Sequence, residues 1–163
     1  MTPAQAETPV NTAPLPSSID GHEHDFNPDH PLAALAGFYR AFNGRDLEAL
    51  AANWADDPQV SMSNPLGSIA RGWPAIRAVY ARIFEGPARV RVAFHDFTLH
   101  EAGEVFYAVG RERGTLARDG SVIELAIRTS RVFRLVGGRW RQMHHHGSFE
   151  HPELLAAYQE AVR

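Results

Sequence analysis

Ser130 to Phe149 reads SRVFRLVGGRWRQMHHHGSF, and the reading of the fold starts from this stretch. Val132, Phe133, Leu135 and Val136 run into Gly137-Gly138, and Trp140 opens a returning segment. Paired glycines tolerate the positive φ of tight hairpin turns, so the pattern predicts two antiparallel strands. The returning strand carries His144, His145 and His146 in succession. Side chains alternate between the faces of a strand, so at least one imidazole points opposite to its neighbours. A titratable group therefore lands on whichever face is buried.

Outward from the hairpin, the period of two continues upstream. Arg89 to His100, Val105 to Ala117 and Ser121 to Val136 read as long strands, separated at Gly103 and at Asp119-Gly120, and Arg139 to Phe149 is the last. Earlier in the chain the period is helical. Leu32, Leu35, Phe38, Tyr39 and Phe42 form one stripe after Pro31, and Asn43-Gly44 ends it. Asp46 caps a second helix carrying Leu47, Leu50, Ala51 and Trp54, and Trp73 to Phe84 is a third, with Ile76, Val79, Tyr80 and Ile83 on its buried side. Val60 to Met62 make a short strand before an NPLGS loop, and Pro152 begins a closing helix. Helices followed by a meander of long strands predict an α+β fold, with helices covering one face of a curved sheet.

Met1 to about Asn27 is rich in Pro, Ala, Thr and Ser without a sustained apolar period. Residues 1–29 are expected to be a disordered or loosely attached extension, and residues 30–163 the domain. His22, His24, Asp25 and His30 at the end of the extension read as a solvated polar linker; a metal there would first have to order it. The chain has 163 residues, 44% of them hydrophobic, enough for a real core. A net charge of −3 argues against a general nucleic-acid or membrane-surface binder. Without cysteine there is no disulfide, thiolate chemistry or Cys-based zinc site. No apolar run is long enough to cross a bilayer, and the first residues lack the form of a signal peptide, so a cytoplasmic setting is expected.

In the strand Ser121 to Val136, Ile123, Leu125, Ile127, Thr129, Arg131, Phe133 and Leu135 share the apolar face. Arg131 thus sits where an unpaired guanidinium is costly. One strand earlier, Val105, Tyr107, Val109, Arg111 and Arg113 share a face, which points Arg111 inward as well. A buried ion pair would explain both arginines. With Glu112 and Glu124 assigned to the opposite faces, a small anionic ligand explains them better. Asp96 is the remaining candidate partner, because its strand changes phase near His95 as at a β-bulge. On the last strand Trp140, Gln142, His144, His146 and Ser148 fall on one face, and Arg141, Met143, His145 and Gly147 on the other. Structural hydrogen bonding, acid–base work and a metal site all stay open for the histidines.

YRAFNGRDLEALAANWADD, NPLGSIARGWPAIR and RVFRLVGGRWRQMHHHGS, in this order and spacing, resemble the nuclear transport factor 2-like superfamily over about Pro31 to Phe149. The likeness is to SnoaL-like domains and to the association domain of calcium/calmodulin-dependent kinase II. It implies a cone-shaped α+β barrel of the cystatin-like type, a deep pocket, and a homodimer through the outer face of the sheet. Arg111 and Arg131 match two arginines with which association domains bind small carboxylates. The position of a third is Gly147, a departure that weakens any transfer of anion specificity. Ketosteroid isomerase-like chemistry needs a pocket carboxylate, which is not placed here. Limonene epoxide hydrolase-like chemistry needs Arg-x-Asp, and Arg111 is followed by Arg113 instead. Scytalone dehydratase-like chemistry stays open.

The resulting expectation is a SnoaL-like homodimer with a pocket for a small, partly apolar, anionic compound. Tyr39, Trp54, Met62, Tyr80 and His145 would line it, and Arg111 and Arg131 would hold the charge. Turnover would be cofactor-free and metal-free isomerisation, cyclisation or dehydration, with His144 or His146 moving the proton, helped by His95 or Asp96. The alternative is a non-catalytic ligand-binding or oligomerisation module.

Overall fold

The computed structural model describes residues 14–163. Its elements are β1 (Ser18–Ile19), α1 (Pro31–Asn43), α2 (Leu47–Asn53), β2 (Ser61–Ser63), β3 (Ile69–Arg71), α3 (Trp73–Glu85), β4 (Arg89–Ala102), β5 (Val105–Arg118), β6 (Ser121–Val136), β7 (Arg139–Phe149) and α4 (Pro152–Ala161). The strands make one seven-stranded sheet in the order β1-β4-β5-β6-β7-β2-β3. Every pair is antiparallel except β2 with β7, which run parallel.

This order corrects the expected cone-shaped barrel. The sheet stays open, with β1 and β3 as its edges, and it is not strongly curled. Closure needs edge strands that can pair along their length with a consistent shear. Strands of two and three residues, β1 and β3, are too short for that. The α+β class and the mostly antiparallel meander stand as expected.

Local chemistry accounts for the helices. His30 caps α1, its Nδ1 accepting from Leu32 N at 3.1 Å, and Pro31 follows in the first turn. Asp46 caps α2, Oδ1 accepting from Glu48 N at 3.0 Å and Ala49 N at 2.9 Å. The apolar stripe of α1 buries Leu35, Phe38 and Tyr39, and Tyr39 stacks on Phe94 of β4 with ring centroids 5.7 Å apart. Phe106 of β5 stacks on Phe133 of β6 at 4.6 Å, with the Trp140 ring edge-on at 4.9 Å. Offset and edge-on aromatic contacts of this kind add about 0.5–1.5 kcal/mol each beyond burial.

Two β-bulges re-aim side chains. In β4 the register shifts between His95 and Thr98, and Asp96 takes φ 47 there. The extra residue lets both Phe94 and Phe97 face the core, stacked at 5.0 Å. In β7 the register shifts so that Gln142 opposes Phe133 while His144 opposes Val132. Met143 is the residue left over, and the inward face passes from Gln142 to His145.

The segment expected to be loose departs from that expectation where it is described. Ser18 and Ile19 pair with His95 and Phe94, and the Ile19 side chain is fully buried. Asn43 Nδ2 donates to Asp20 O at 2.9 Å and to Val92 O at 2.8 Å, clamping this strap to β4. Arg40 Nε donates to Gly21 O at 2.9 Å. The reason is an edge: without the strap, the β4 backbone at Phe94 and His95 would face water unpaired. The rest of the expected extension, residues 1–13, lies outside the described residues. Among the described residues no helix is long and apolar enough to cross a membrane.

Candidate functional site: a buried polar network beside an apolar cavity

Arg131 is 1% exposed and stands at the centre of a buried polar network. Its Nη2 donates to Glu112 Oε1 at 2.8 Å, its Nη1 to Gln142 Oε1 at 2.7 Å and its Nε to Tyr39 Oη at 3.2 Å. Tyr39 Oη in turn donates to Glu112 Oε1 at 2.8 Å. The guanidinium lies 3.5 Å from the centroid of the Phe38 ring, a cation–π contact. Burial disfavours the arginine's charge, but Tyr39 and Glu112 more than offset this and its pKa is raised. Burial pushes the Tyr39 phenol well above its ordinary range, so it stays protonated. Both hydrogen bonds to the Glu112 carboxylate fall on Oε1.

Beside this network lies a cavity of about 50 Å³. Phe42, Val79, Ile83, Val92 and Tyr158 supply apolar wall, and Glu112, Arg131, His145, Tyr80 and Asn64 supply polar groups. The His145 ring is buried and neither nitrogen has a hydrogen-bond partner. Burial, reinforced by the nearby Arg131 charge, holds its pKa well below the usual histidine value, so the ring is neutral. The Tyr80 hydroxyl is likewise buried without a partner, and burial pushes its pKa up to about 12. Trp54 Nε1 lies near that hydroxyl but outside hydrogen-bonding geometry, and Gln142 Nε2 is also unpaired. Buried polar atoms without a protein partner are rare in folded proteins, and His145 and Tyr80, both on the cavity wall, offer theirs to a polar group placed in it.

Of the residues expected to form a pocket, Met62, Tyr80, Arg131 and His145 line this cavity, whereas Tyr39 and Trp54 are buried without lining it. Arg111, His95, Asp96, His144 and His146 do not line it either. Arg111 pairs across the sheet with Arg128 and bonds Asp96 Oδ2 at 3.1 Å and the Glu150 carboxylate. His144 Nδ1 is 2.8 Å from Ser61 Oγ on the outer face, and His146 opposes Ser130 there. Partial burial lowers the His144 pKa. The inward placement of Arg111 is therefore corrected. On β5 the apolar run Val105, Tyr107, Val109 faces out, between 37% and 44% exposed, while Phe106, Ala108, Glu112 and Leu116 face in.

That reversal explains the residue sequence reasoning missed. Glu112 is the buried carboxylate opposite Arg131, and the ion pair that the arginine's setting called for is made after all. Phe106 and Leu116 at the even positions, with Gly110 and Gly114 between them, were the available signal, because small residues in a strand often mark close approach. Gln142 was missed as a site residue because its role depends on the bulge. His22, in the polar stretch before the domain, pairs with Asp20, and His30 caps α1. Among the described residues no group of three His, Asp or Glu side chains is placed to hold a metal.

An α+β sheet with helices packed against one face is the architecture of the nuclear transport factor 2-like superfamily. Residues 32–152 match the SnoaL-like domain, and the chain belongs to that family. A proposed dehydratase of the nuclear transport factor 2-like family from Streptomyces avermitilis superposes with a TM-score of 0.67 at 21% identity, covering 75% of this chain and 94% of that one. A proposed calcium/calmodulin-dependent kinase type II association domain from Thiobacillus denitrificans gives 0.62 at 26% identity, covering 74% and 95%. A ketosteroid isomerase-like protein from Erwinia carotovora atroseptica gives 0.62 at 21%, covering 74% and 94%. No curated protein matches the chain significantly.

Proposed function

We propose that this chain binds a small, partly apolar, uncharged compound in the inner cavity and moves a proton on it without a cofactor. The observation that carries this is His145, a neutral imidazole with both nitrogens unpartnered at the wall of the cavity. A neutral ring can accept a proton, and the Tyr80 hydroxyl, kept protonated by burial, can hydrogen-bond a developing oxyanion. Isomerisation, cyclisation and dehydration are the reactions such a pair serves. The relatives at 21% identity speak for the fold alone. An uncharged compound replaces the anionic one expected from sequence because Glu112 already neutralises Arg131. An anion would meet no unbalanced cation.

A thermal-shift screen of small ketones, alcohols and carboxylic acids tests this on the native protein and His145→Phe. A ligand at about 100 times its dissociation constant stabilises by ~2.7 kcal/mol. Ketones or alcohols should stabilise the native protein and not the variant. Stabilisation by acids alone would restore the anionic reading, and no stabilisation by any class would sink the cavity as a binding site.

A second reading, a non-catalytic module that assembles, is favoured by one observation. Val105, Tyr107 and Val109 form an exposed apolar row on the outer face of β5, a surface suited to a second copy of the chain. Light scattering across a concentration series should give a dimer mass, and Val109→Asp should give a monomer. A native monomer at every concentration rejects the homodimer.

A further inference from the structure

The inner cavity, at about 50 Å³, is a third the size of a ~150 Å³ cavity that admits a benzene ring. It has room for the polar head of a ligand and little more. Asn64 and Pro65 line this cavity and also line a surface cleft of about 540 Å³, so the two spaces share a wall. The wall rests on a glycine. A Cβ at Gly147 would lie 3.0 Å from Pro65 Cγ and 3.3 Å from His145 Nε2. Gly147 has no positive φ to account for it, so the absent side chain is a matter of space. It lets the Pro65 ring sit against the strand beside His145.

Beyond Pro65, the cleft has apolar walls from Ile69, Phe149, Pro152 and Leu155, and it reaches Arg128 on the outer face. Ile69 is 56% exposed, a large aliphatic side chain left in water with no role in the core. The turn carrying Pro65 is internally braced. Asn64 Oδ1 accepts from Leu66 N at 2.8 Å and Asn64 Nδ2 donates to Ser68 Oγ at 2.8 Å. Its tie to α4 is one long hydrogen bond, Gln159 Nε2 to Leu66 O at 3.3 Å. A rigid turn on few external bonds can shift as a unit.

We propose that cavity and cleft form one site for an elongated molecule, an uncharged polar head at His145 joined to a straight apolar tail that passes Pro65 into the cleft. This rests on the cavity being the binding site. Gly147 then determines specificity, because a Cβ there would occupy the space between Pro65 and His145 that the tail crosses.

Calorimetric titration of straight-chain methyl ketones of increasing length tests the proposal on the native protein, Ile69→Ser and Gly147→Ala, each first shown to fold by thermal unfolding. Affinity should rise roughly fourfold for each methylene beyond the length that fills the cavity. Both variants should lower the ratio of long-chain to short-chain affinity. Short ketones that bind without gain from added methylenes would overturn the shared site and leave the cavity reading standing. An undiminished chain-length gain in both variants would place the tail elsewhere and overturn it too. Binding by no member of the series overturns both readings together.

Discussion

Glu112 Oε1 accepts two hydrogen bonds of 2.8 Å, one from Tyr39 Oη and one from Arg131 Nη2, so a single carboxylate oxygen joins α1, β5 and β6. The joint is charge-neutral, and both ionic partners are out of water. Such a pair contributes little net stability against an apolar replacement, yet breaking one side strands a charge.

Arg131→Ala should therefore destabilise the fold by about 3–5 kcal/mol, and Arg131→Met combined with Glu112→Gln should recover much of that loss. Urea denaturation at neutral pH measures both. A cost below about 1 kcal/mol for Arg131→Ala would mean that Glu112 finds water or another cation, and the network would not be the structural joint described.

His145 makes stability depend on pH. Its pKa is depressed in the fold, so between the ordinary histidine value and the folded value the unfolded chain binds the extra proton. Stability contributed by the neutral ring is complete above about pH 6.5 and falls as pH drops below it, by up to ~1.4 kcal/mol per pH unit for one proton. His144, also lowered, acts in the same direction but is partly exposed. Denaturation midpoints from pH 7 to pH 5 should fall for the native protein and fall less for His145→Gln. Parallel curves would remove the burial of a neutral ring.

The three consecutive histidines should separate functionally. His144→Ala and His146→Ala change the outer face, where His144 meets Ser61. Neither should alter the thermal shift produced by a cavity ligand. Equal loss of that shift in all three single variants would argue that the ligand lies on the outer face instead.

Gly21 tests the strap. It takes φ 97, and a Cβ there would come within 2.3 Å of Arg40 N in α1. Gly21→Ala should cost about 1–3 kcal/mol and release β1 from β4. Faster amide exchange at Phe94 and its neighbours would register the release. Unchanged stability and exchange would show that the strap does not depend on this close approach.

Several features of the fold and site were legible in the residues themselves. Asp46 and Pro31 mark helix starts because capping and fixed φ are local chemistry. Gly137-Gly138 marks a hairpin for the same reason, and the inward face of β6, Arg131 included, follows from strict alternation. The bulge near His95 showed as a break in that alternation. The faces of β5 and β7 were not legible. On β5 an outward apolar row, Val105 to Val109, imitates a core face, and on β7 the bulge at Met143 shifts the phase just before the histidines.

By itself, the sequence determined the α+β class, the order of the helices and long strands and the presence of a buried arginine, since each depends on neighbours in the chain; the short edge strands β1 and β3 were not among them. Tertiary structure alone decided that the sheet stays open, that Glu112 rather than a ligand meets Arg131, and that His145 faces the cavity. Those outcomes depend on register between strands, where a shift of one residue exchanges every inward side chain for an outward one.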